Sequence, residues 1–198
     1  MLLAGLCGDD TLSQRSVSRN HRYRSFASAI AAAFCLILPA ANRGAVVINE
    51  IHYHPDIKTE PAEFIELCNP GTNSVDLSGW YFSSGIDFAF PPGTTLPRDS
   101  YLVLAQNTNF FKSKFGATAA GQYTGALNNT GDKLVLRNPA GQIENEVDYQ
   151  SEFPWPIVGL PAGYSIELIN PALDNSLGGS WRASVSGTPP SADARACR

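Results

Sequence analysis

The feature that most constrains the fold is the spacing of turn residues from Val46 onward. Short apolar runs alternate with clusters of Gly, Pro and Asn, and most of these clusters recur about every 8–15 residues. Parallel strands need a crossover of a dozen or more residues, usually a helix, so this spacing disfavours them. The sequence therefore predicts short antiparallel strands arranged as a sandwich or a barrel.

Eight segments have the alternation or apolar content of strands, and each ends near a turn signal. They are residues 46–53, 63–68, 75–82, 86–90, 101–105, 134–137, 143–149 and 164–169. One segment differs, because Thr108–Phe115 places three phenylalanines at helical spacing with lysines opposite and Gly116 behind. It predicts one or two helical turns closing the end of the sandwich.

Charge divides the chain into two unlike parts. Residues 1–45 carry five Arg and two Asp, whereas residues 46–198 carry nine Lys or Arg and sixteen Asp or Glu. Phosphate contacts need basic side chains, so the acidic body argues against nucleic-acid binding and against docking on anionic lipid. The charge distribution leaves cations, sugars, neutral polymers and basic partners as possible ligands.

The N-terminal segment has the pattern of a signal peptide. Four arginines at 15, 19, 22 and 24 precede the apolar residues 29–38, and small residues follow at 40–45. Ten apolar residues are too few to cross a bilayer, which takes about 20. We expect cleavage between 40 and 45 and no stable membrane span afterwards, with an uncleaved anchor as the alternative.

This pattern predicts three regions and a location. Residues 1–45 form a signal peptide or targeting segment, residues 46–190 form the β-sandwich domain, and residues 191–198 form a frayed tail. The protein is then secreted, periplasmic or part of the cell envelope. Of the four cysteines, Cys68 and Cys197 remain after cleavage, and two free thiols are favoured over a disulfide between them.

A series of ordered motifs resembles the lamin tail domain family. The motifs are INEI at 48–51, EFIEL at 63–67, NPG at 69–71, VDLSGW at 75–80, FPPGTTL at 90–96, YLVLA at 101–105 and LNNTGDKLVL at 127–136. Later motifs, near 164–171 and 175–184, are similar to the secreted bacterial branch of that family. The resemblance implies an immunoglobulin-like antiparallel β-sandwich, a non-catalytic interaction module, and no catalytic residue to carry over.

Residues 46–198 contain two histidines, and these are the only side chains there that could support imidazole-based catalysis or a histidine-ligated metal. His52 and His54 stand at i and i+2 on a predicted strand, so they point to the same face. Together with Asp56 or Glu66 they would make a ligand set for Zn²⁺ or Ca²⁺. The interpretation we favour is a strand end with two solvent-facing imidazoles, and no cofactor is expected.

Polar and aromatic clusters give weaker candidates. Asn49, Glu50, Glu63 and Glu66 form an acidic group on the first two strands, interpreted as the solvated face of the sandwich, with a cation site as the alternative. Trp80 is predicted in the core. Trp155 lies between two prolines. The sequence supports two roles for its ring equally: packing within a loop, or an exposed platform on which a sugar could stack.

The function expected from the sequence is a secreted, non-catalytic binding or scaffold module of lamin-tail type. Its partner would be a protein or an extracellular polysaccharide. The alternative is a metal-dependent hydrolase, or a cation-stabilised module, built on His52, His54 and nearby carboxylates. The chain has no G-x-S-x-G elbow, phosphate-binding loop or dinucleotide fingerprint.

Overall fold

The structure is a computed structural model that describes residues 46–158 and 163–184. The predicted signal segment, the predicted cleavage region and the predicted frayed tail lie outside the described residues. The described residues hold twelve strands, one α-helix and one short 3₁₀ turn. In chain order they are β1 Val47–His52, β2 Phe64–Asn69, β3 Val75–Asp76, β4 Tyr81–Ser84, β5 Phe88–Ala89, β6 Thr95–Leu96, β7 Ser100–Ala105, α1 Thr108–Phe115, β8 Gly121–Gln122, β9 Gly131–Arg137, β10 Ile143–Gln150, β11 Ile166–Leu168, the 3₁₀ turn Gly178–Ser180 and β12 Trp181–Ala183.

The strands form two main sheets. The larger sheet has the order β12-β11-β1-β2-β7-β8, and the smaller has the order β10-β9-β4-β5. Strands β3 and β6 pair separately. Every pairing is antiparallel except that of β7 with β8, which is parallel. The predicted antiparallel β fold with one short helix is confirmed.

The main core lies between the two sheets. Alternate residues of β1 and β2 point inward, and Ile48 lies opposite Leu67 in the register of the two strands. They join Leu134, Leu136 and Val147 of the smaller sheet in one buried apolar cluster. Each such side chain contributes about 1.5–3 kcal/mol when it is fully removed from water. The other face of β1 and β2 therefore points away from this core.

The predicted strand 75–82 is interrupted by a turn. Gly79 adopts a positive φ of 73°, and Trp80 N–H donates to Leu77 O at 2.9 Å. Glycine adopts this φ without the strain that a side chain would cause, so the chain can turn at Gly79. Strand β4 therefore begins only at Tyr81. Trp80 itself is buried in the main core, as predicted.

Helix α1 has the bounds that the sequence predicts. Asn107 caps its start by accepting from Phe110 N–H at 2.9 Å, and Gly116 ends it in the left-handed conformation with φ 71°. The helix lies on the outer face of the larger sheet rather than across the end of the sandwich, because Phe111 packs with Phe64 in a second apolar cluster. Among the described residues, no helix combines the length and hydrophobicity needed to span a membrane.

Candidate functional site

His52 is buried on the outer face of the larger sheet. Its ring stacks on Phe64 with centroids 5.0 Å apart and meets the edge of Phe115 at 5.8 Å. Its Nε2 lies 3.2 Å from Gly163 O, and since a carbonyl oxygen only accepts, that nitrogen carries the proton. Burial lowers the pKa of His52 to about 4. The imidazole is therefore a neutral core group at pH 7, and the expectation of a solvent-facing ring at this position is wrong.

Asp56 forms an ion pair with the helix. Lys114 of α1 lies 2.5 Å from an oxygen of Asp56 and 2.5 Å from an oxygen of Glu60. The hydrogen bond from Lys114 lowers the pKa of the Asp56 carboxyl. This ion pair ties the loop after β1 to the helix, so Asp56 joins two elements of the fold.

Glu66 is not brought to the histidines either. Its Oε1 accepts from Asn49 Nδ2 at 3.1 Å, and in the register of β1 and β2 it lies opposite Glu50, whereas His52 lies opposite Phe64. Within residues 46–158 and 163–184, no group of three His, Cys, Asp or Glu side chains is placed to hold a metal ion. The described structure therefore does not gather the predicted ligand set into a metal site.

Trp155 belongs to an aromatic pair in the core. It is 7% exposed, and its ring centroid lies 5.8 Å from that of Trp181. Trp181 Nε1 in turn donates to Asn175 O at 3.0 Å. The irregular backbone around Trp155 thus directs the ring inward, and this burial leaves no free face on which a sugar could stack.

Three glutamates stand side by side on the outer face of the larger sheet, and we call them the acidic row: Glu167, Glu50 and Glu66. Glu50 lies opposite Glu167 on β11 and opposite Glu66 on β2. Their exposed fractions are 8%, 0% and 0%. The sequence interpretation of a solvated face is therefore wrong for Glu50 and Glu66. Strand alternation shows which face a residue takes, but it does not show what covers that face.

Burial gives the acidic row unusual electrostatics. Glu50 Oε1 accepts from Ser165 Oγ, while its Oε2 is buried without a hydrogen-bond partner in the described part of the chain. Desolvation, followed by the charge of Glu66, raises the pKa of Glu50 well above 4.5. Glu167 is paired with Arg182 at 2.5 Å. Glu50 therefore favours the protonated form.

Replacing Glu50 by Gln should change the pH dependence of stability. Since the folded pKa of Glu50 is raised, its contribution to stability is fully present below about pH 4.5 and is lost as the pH rises through the raised pKa. The parent should lose about 1.4 kcal/mol of unfolding free energy for each pH unit between the ordinary pKa of Glu50 and its raised value in the folded protein. We therefore expect the Glu50→Gln variant to become more stable than the parent as the pH rises from 4 to 8. Urea unfolding at pH 4, 6 and 8 measures this gain. The exposed Glu152→Gln is the control, and a Glu50→Gln difference that stays constant across this range would contradict the assignment.

Cys68 lies on the same outer face as Glu66, two residues further along β2. It is fully buried and disulfide-bonded. The expectation of a free thiol is therefore wrong for Cys68. It is the one cysteine within residues 46–158 and 163–184, so its partner lies outside the described residues.

A polar groove of about 470 Å³ lies beside the buried Glu63. Glu63 Oε2 accepts from Leu127 N–H at 2.8 Å and from Tyr123 OH at 3.4 Å. Burial raises the pKa of the Glu63 carboxyl. These bonds fasten the 123–127 loop to the start of β2, so Glu63 serves the fold and stands apart from Glu66.

A second groove, which we call the edge groove, runs along the start of β10. It has a volume of about 330 Å³ and lies between residues 143–146 and the loop 171–176. Asn145 joins the two walls, since its Oδ1 accepts from Ile48 N–H at 3.0 Å and from Asn175 Nδ2 at 2.8 Å. In that loop, Asp174 accepts from Ser176 N–H at 3.0 Å in an Asx turn. Sequence reasoning missed this groove, because it forms between segments far apart in the chain.

These features define the class of protein: an immunoglobulin-like β-sandwich with grooves on its surface. The family model of the lamin tail domain matches residues 39–151, and the chain belongs to that family. The match ends at Ser151, although β11 and β12 continue the larger sheet beyond it. No curated protein matches the sequence.

Proposed function

We propose that the chain is a secreted or cell-envelope binding module, without catalytic activity, whose partner is an extended basic segment of another protein. The observation that carries the proposal is the edge groove beside β10. It combines a sheet edge, acidic side chains and apolar walls in one place.

The sheet edge supplies backbone pairing. Strand β10 is eight residues long and is the outermost strand of the smaller sheet, paired with β9 on one side. An edge strand presents N–H and C=O groups that a further strand can pair with. Addition of an extended peptide to such an edge is a common mode of recognition, in which the backbone gives affinity and alternate side chains give specificity.

The side chains around the edge favour a basic and partly apolar partner. Glu144 and Glu146 are half-buried on β10, and Asp174 stands on the opposite wall. Ile143 and Leu173 are 46% and 42% exposed beside them. An extended segment that alternates Lys or Arg with apolar residues would complement both features. The net negative charge of residues 46–198 adds long-range attraction for such a segment.

The competing functions have less support. The hydrolase and cation-binding alternatives need His52 and His54 together with Asp56 or Glu66, and no group of three such side chains is placed to hold a metal ion within the described residues. A polysaccharide platform built on Trp155 would need an exposed ring, whereas Trp155 is buried. Membership of the lamin tail domain family, a family of non-enzymatic domains, fits a non-catalytic role.

Two observations support an extracytoplasmic location. The basic, then apolar, then small-residue pattern of residues 1–45 is that of a signal peptide. The disulfide at Cys68 fits an oxidising compartment, where such bonds form and persist.

The binding proposal predicts charge-selective capture of extended peptides. Two labelled ten-residue peptides, one alternating Lys with Val and the other alternating Glu with Val, are titrated with the full chain and followed by fluorescence anisotropy. We expect the Lys peptide to bind, and its affinity to fall as salt is raised. The double variant Glu144→Gln/Glu146→Gln should weaken binding about tenfold, because two partly buried charges are removed next to the partner.

The matched control removes two acidic charges elsewhere on the domain. Asp87→Asn/Glu152→Gln has the same net charge as the groove variant, and both of its sites are exposed. It should bind the Lys peptide like the parent. Equal losses in the two variants would show that net charge, not the edge groove, controls binding. Equal binding of both peptides, or stabilisation of the domain by soluble glycans instead, would refute the proposed partner.

A further inference from the structure

Glu144 stands at an irregularity in strand β10, on one wall of the edge groove. The register of β9 and β10 shifts between Ile143 and Asn145, and Glu144 has no partner residue on β9. Glu144 is therefore the extra residue of a β-bulge. Bulges are frequent at the edges of sheets, where they change the direction of a side chain. The strand thus presents the carboxylate of Glu144 at a point where regular pairing is interrupted.

The turn between β9 and β10 holds this carboxylate in place. Glu144 Oε1 accepts from Asn138 Nδ2 at 2.7 Å. Asn138 is itself fixed, because its Oδ1 accepts from the backbone N–H groups of Ala140 and Gln142, both at 3.0 Å. A group that is already ordered loses little conformational freedom when a partner binds. The carboxylate of Glu144 is therefore preorganised as an acceptor.

Glu144 has no cationic partner within residues 46–158 and 163–184. The neighbouring Glu146 does have one, since its Oε2 lies 3.2 Å from Lys133 Nζ. Arg137 of β9 donates to Gly141 O at 2.7 Å, and none of the ion pairs in this part of the chain includes Glu144. An incoming cation therefore meets an uncompensated charge at Glu144, whereas at Glu146 it competes with Lys133.

The groove beside this carboxylate has an apolar lining. Val47 and Pro171 are buried residues that line it, and the partly exposed Ile143 and Leu173 line it as well. Its volume of about 330 Å³ is near the lower end of the range of small-ligand sites, about 300–1,000 Å³. Long cationic side chains lay their methylene stems on apolar surface and keep the charged head at its polar border. The groove therefore suits one such side chain.

The carboxylate of Glu144 favours arginine over lysine as that side chain. A carboxylate offers about four lone-pair sites, and the hydrogen bond from Asn138 takes one of them. Both oxygens can therefore still accept from a partner. The planar guanidinium of arginine donates two parallel hydrogen bonds to a carboxylate, and it is more weakly hydrated than the ammonium of lysine. Entry into a groove with apolar walls consequently costs arginine less.

We propose that Glu144 determines specificity by binding one arginine side chain of the partner segment. The stem of that arginine lies on Val47 and Pro171, and its guanidinium donates to both oxygens of Glu144. This inference rests on the proposed function, and it names the residue by which the partner is anchored in the edge groove. Glu146 adds attraction for any cationic segment without distinguishing arginine from lysine.

Three labelled peptides test the preference for arginine. The first is the ten-residue peptide that alternates Lys with Val, the second has one central Lys replaced by Arg, and the third carries dimethylarginine there, with both methyl groups on one terminal nitrogen. By fluorescence anisotropy with the full chain, we expect the Arg peptide to bind about fivefold more tightly than the Lys peptide, the effect of about one additional hydrogen bond. Dimethylarginine keeps the charge but blocks the paired hydrogen bonds, so the third peptide should bind like the first. Equal affinities for Arg and Lys would overturn this inference and leave the proposed function standing, whereas no binding of any cationic peptide would overturn both.

Two single variants locate the preference on one residue. Glu144→Gln should bind the Arg and Lys peptides with equal affinity, because the paired acceptor is lost. Glu146→Gln is the matched control, since it removes the same charge from the same strand two residues away. It should weaken both peptides by a similar factor and keep the preference of about fivefold. A preference that survives Glu144→Gln, or that disappears in Glu146→Gln, would contradict the assignment.

Discussion

Trp181→Ala is expected to lower the free energy of unfolding by about 3–5 kcal/mol, because it empties a large core site. Trp181 is 4% exposed, packs against Trp155 and belongs to the same apolar cluster as the inner faces of both sheets. The substitution also removes the donor to Asn175 O. A carbonyl left without its partner adds to the cost. Urea unfolding of the full chain, followed by circular dichroism, measures the change.

Phe153→Ala is the matched control for this substitution. It also deletes an aromatic ring, but Phe153 is 91% exposed, so its effect should stay within about 0.5 kcal/mol. Trp181 lies beyond Ser151, where the lamin tail domain match ends. A small effect of Trp181→Ala would show that β12 is an appendage, whereas the expected effect makes residues up to 183 part of the folding unit.

Gly131→Ala should produce the second large loss of stability. Gly131 adopts a φ of 133°, and a Cβ at this position would lie 2.8 Å from the backbone oxygen of Tyr149. The conformation costs about 1–3 kcal/mol for a residue with a side chain. The overlap adds about 1–3 kcal/mol, because the neighbouring oxygen belongs to the backbone of β10 and cannot turn aside.

Gly93→Ala separates these two contributions. Gly93 also has a positive φ, of 82°, but nothing lies within 4 Å of a Cβ built there. We expect Gly93→Ala to cost about 1–2 kcal/mol from conformation alone. The difference between the two variants then reports the overlap at Gly131, and equal losses would show that the β9–β10 hairpin relaxes to accept the methyl group.

The helix and the long strands could be predicted from the sequence, since their signals are local. Asn107 and Gly116 fix both ends of α1, and its three phenylalanines give one apolar side. The shortest strands could not be predicted, because two or three residues show no period. β6, β8 and β12 are defined as strands by their pairing with β3, β7 and β11, which lie elsewhere in the chain.

The candidate site also could not be predicted where it depends on contacts between distant parts of the chain. Alternation along β1 and β2 correctly separates Glu50 and Glu66 from the apolar core, yet these carboxylates are buried because other parts of the chain cover the sheet. Trp155, between two prolines, gives no periodic signal that would distinguish a ring turned inward from one turned outward. The edge groove likewise depends on the meeting of β10 with the loop 171–176.

The position of β1 has a consequence for the order in which the protein is made and folded. β1 is the first strand of the described chain, yet it lies inside the larger sheet, between β11 and β2. The hydrogen bond from Ser165 to Glu50 joins residues 115 positions apart. During synthesis, one edge of β1 therefore stays unpaired until β11 has been made, more than 100 residues later. Until then, the edge of β1 that faces β11 presents unpaired N–H and C=O groups that could pair with another chain.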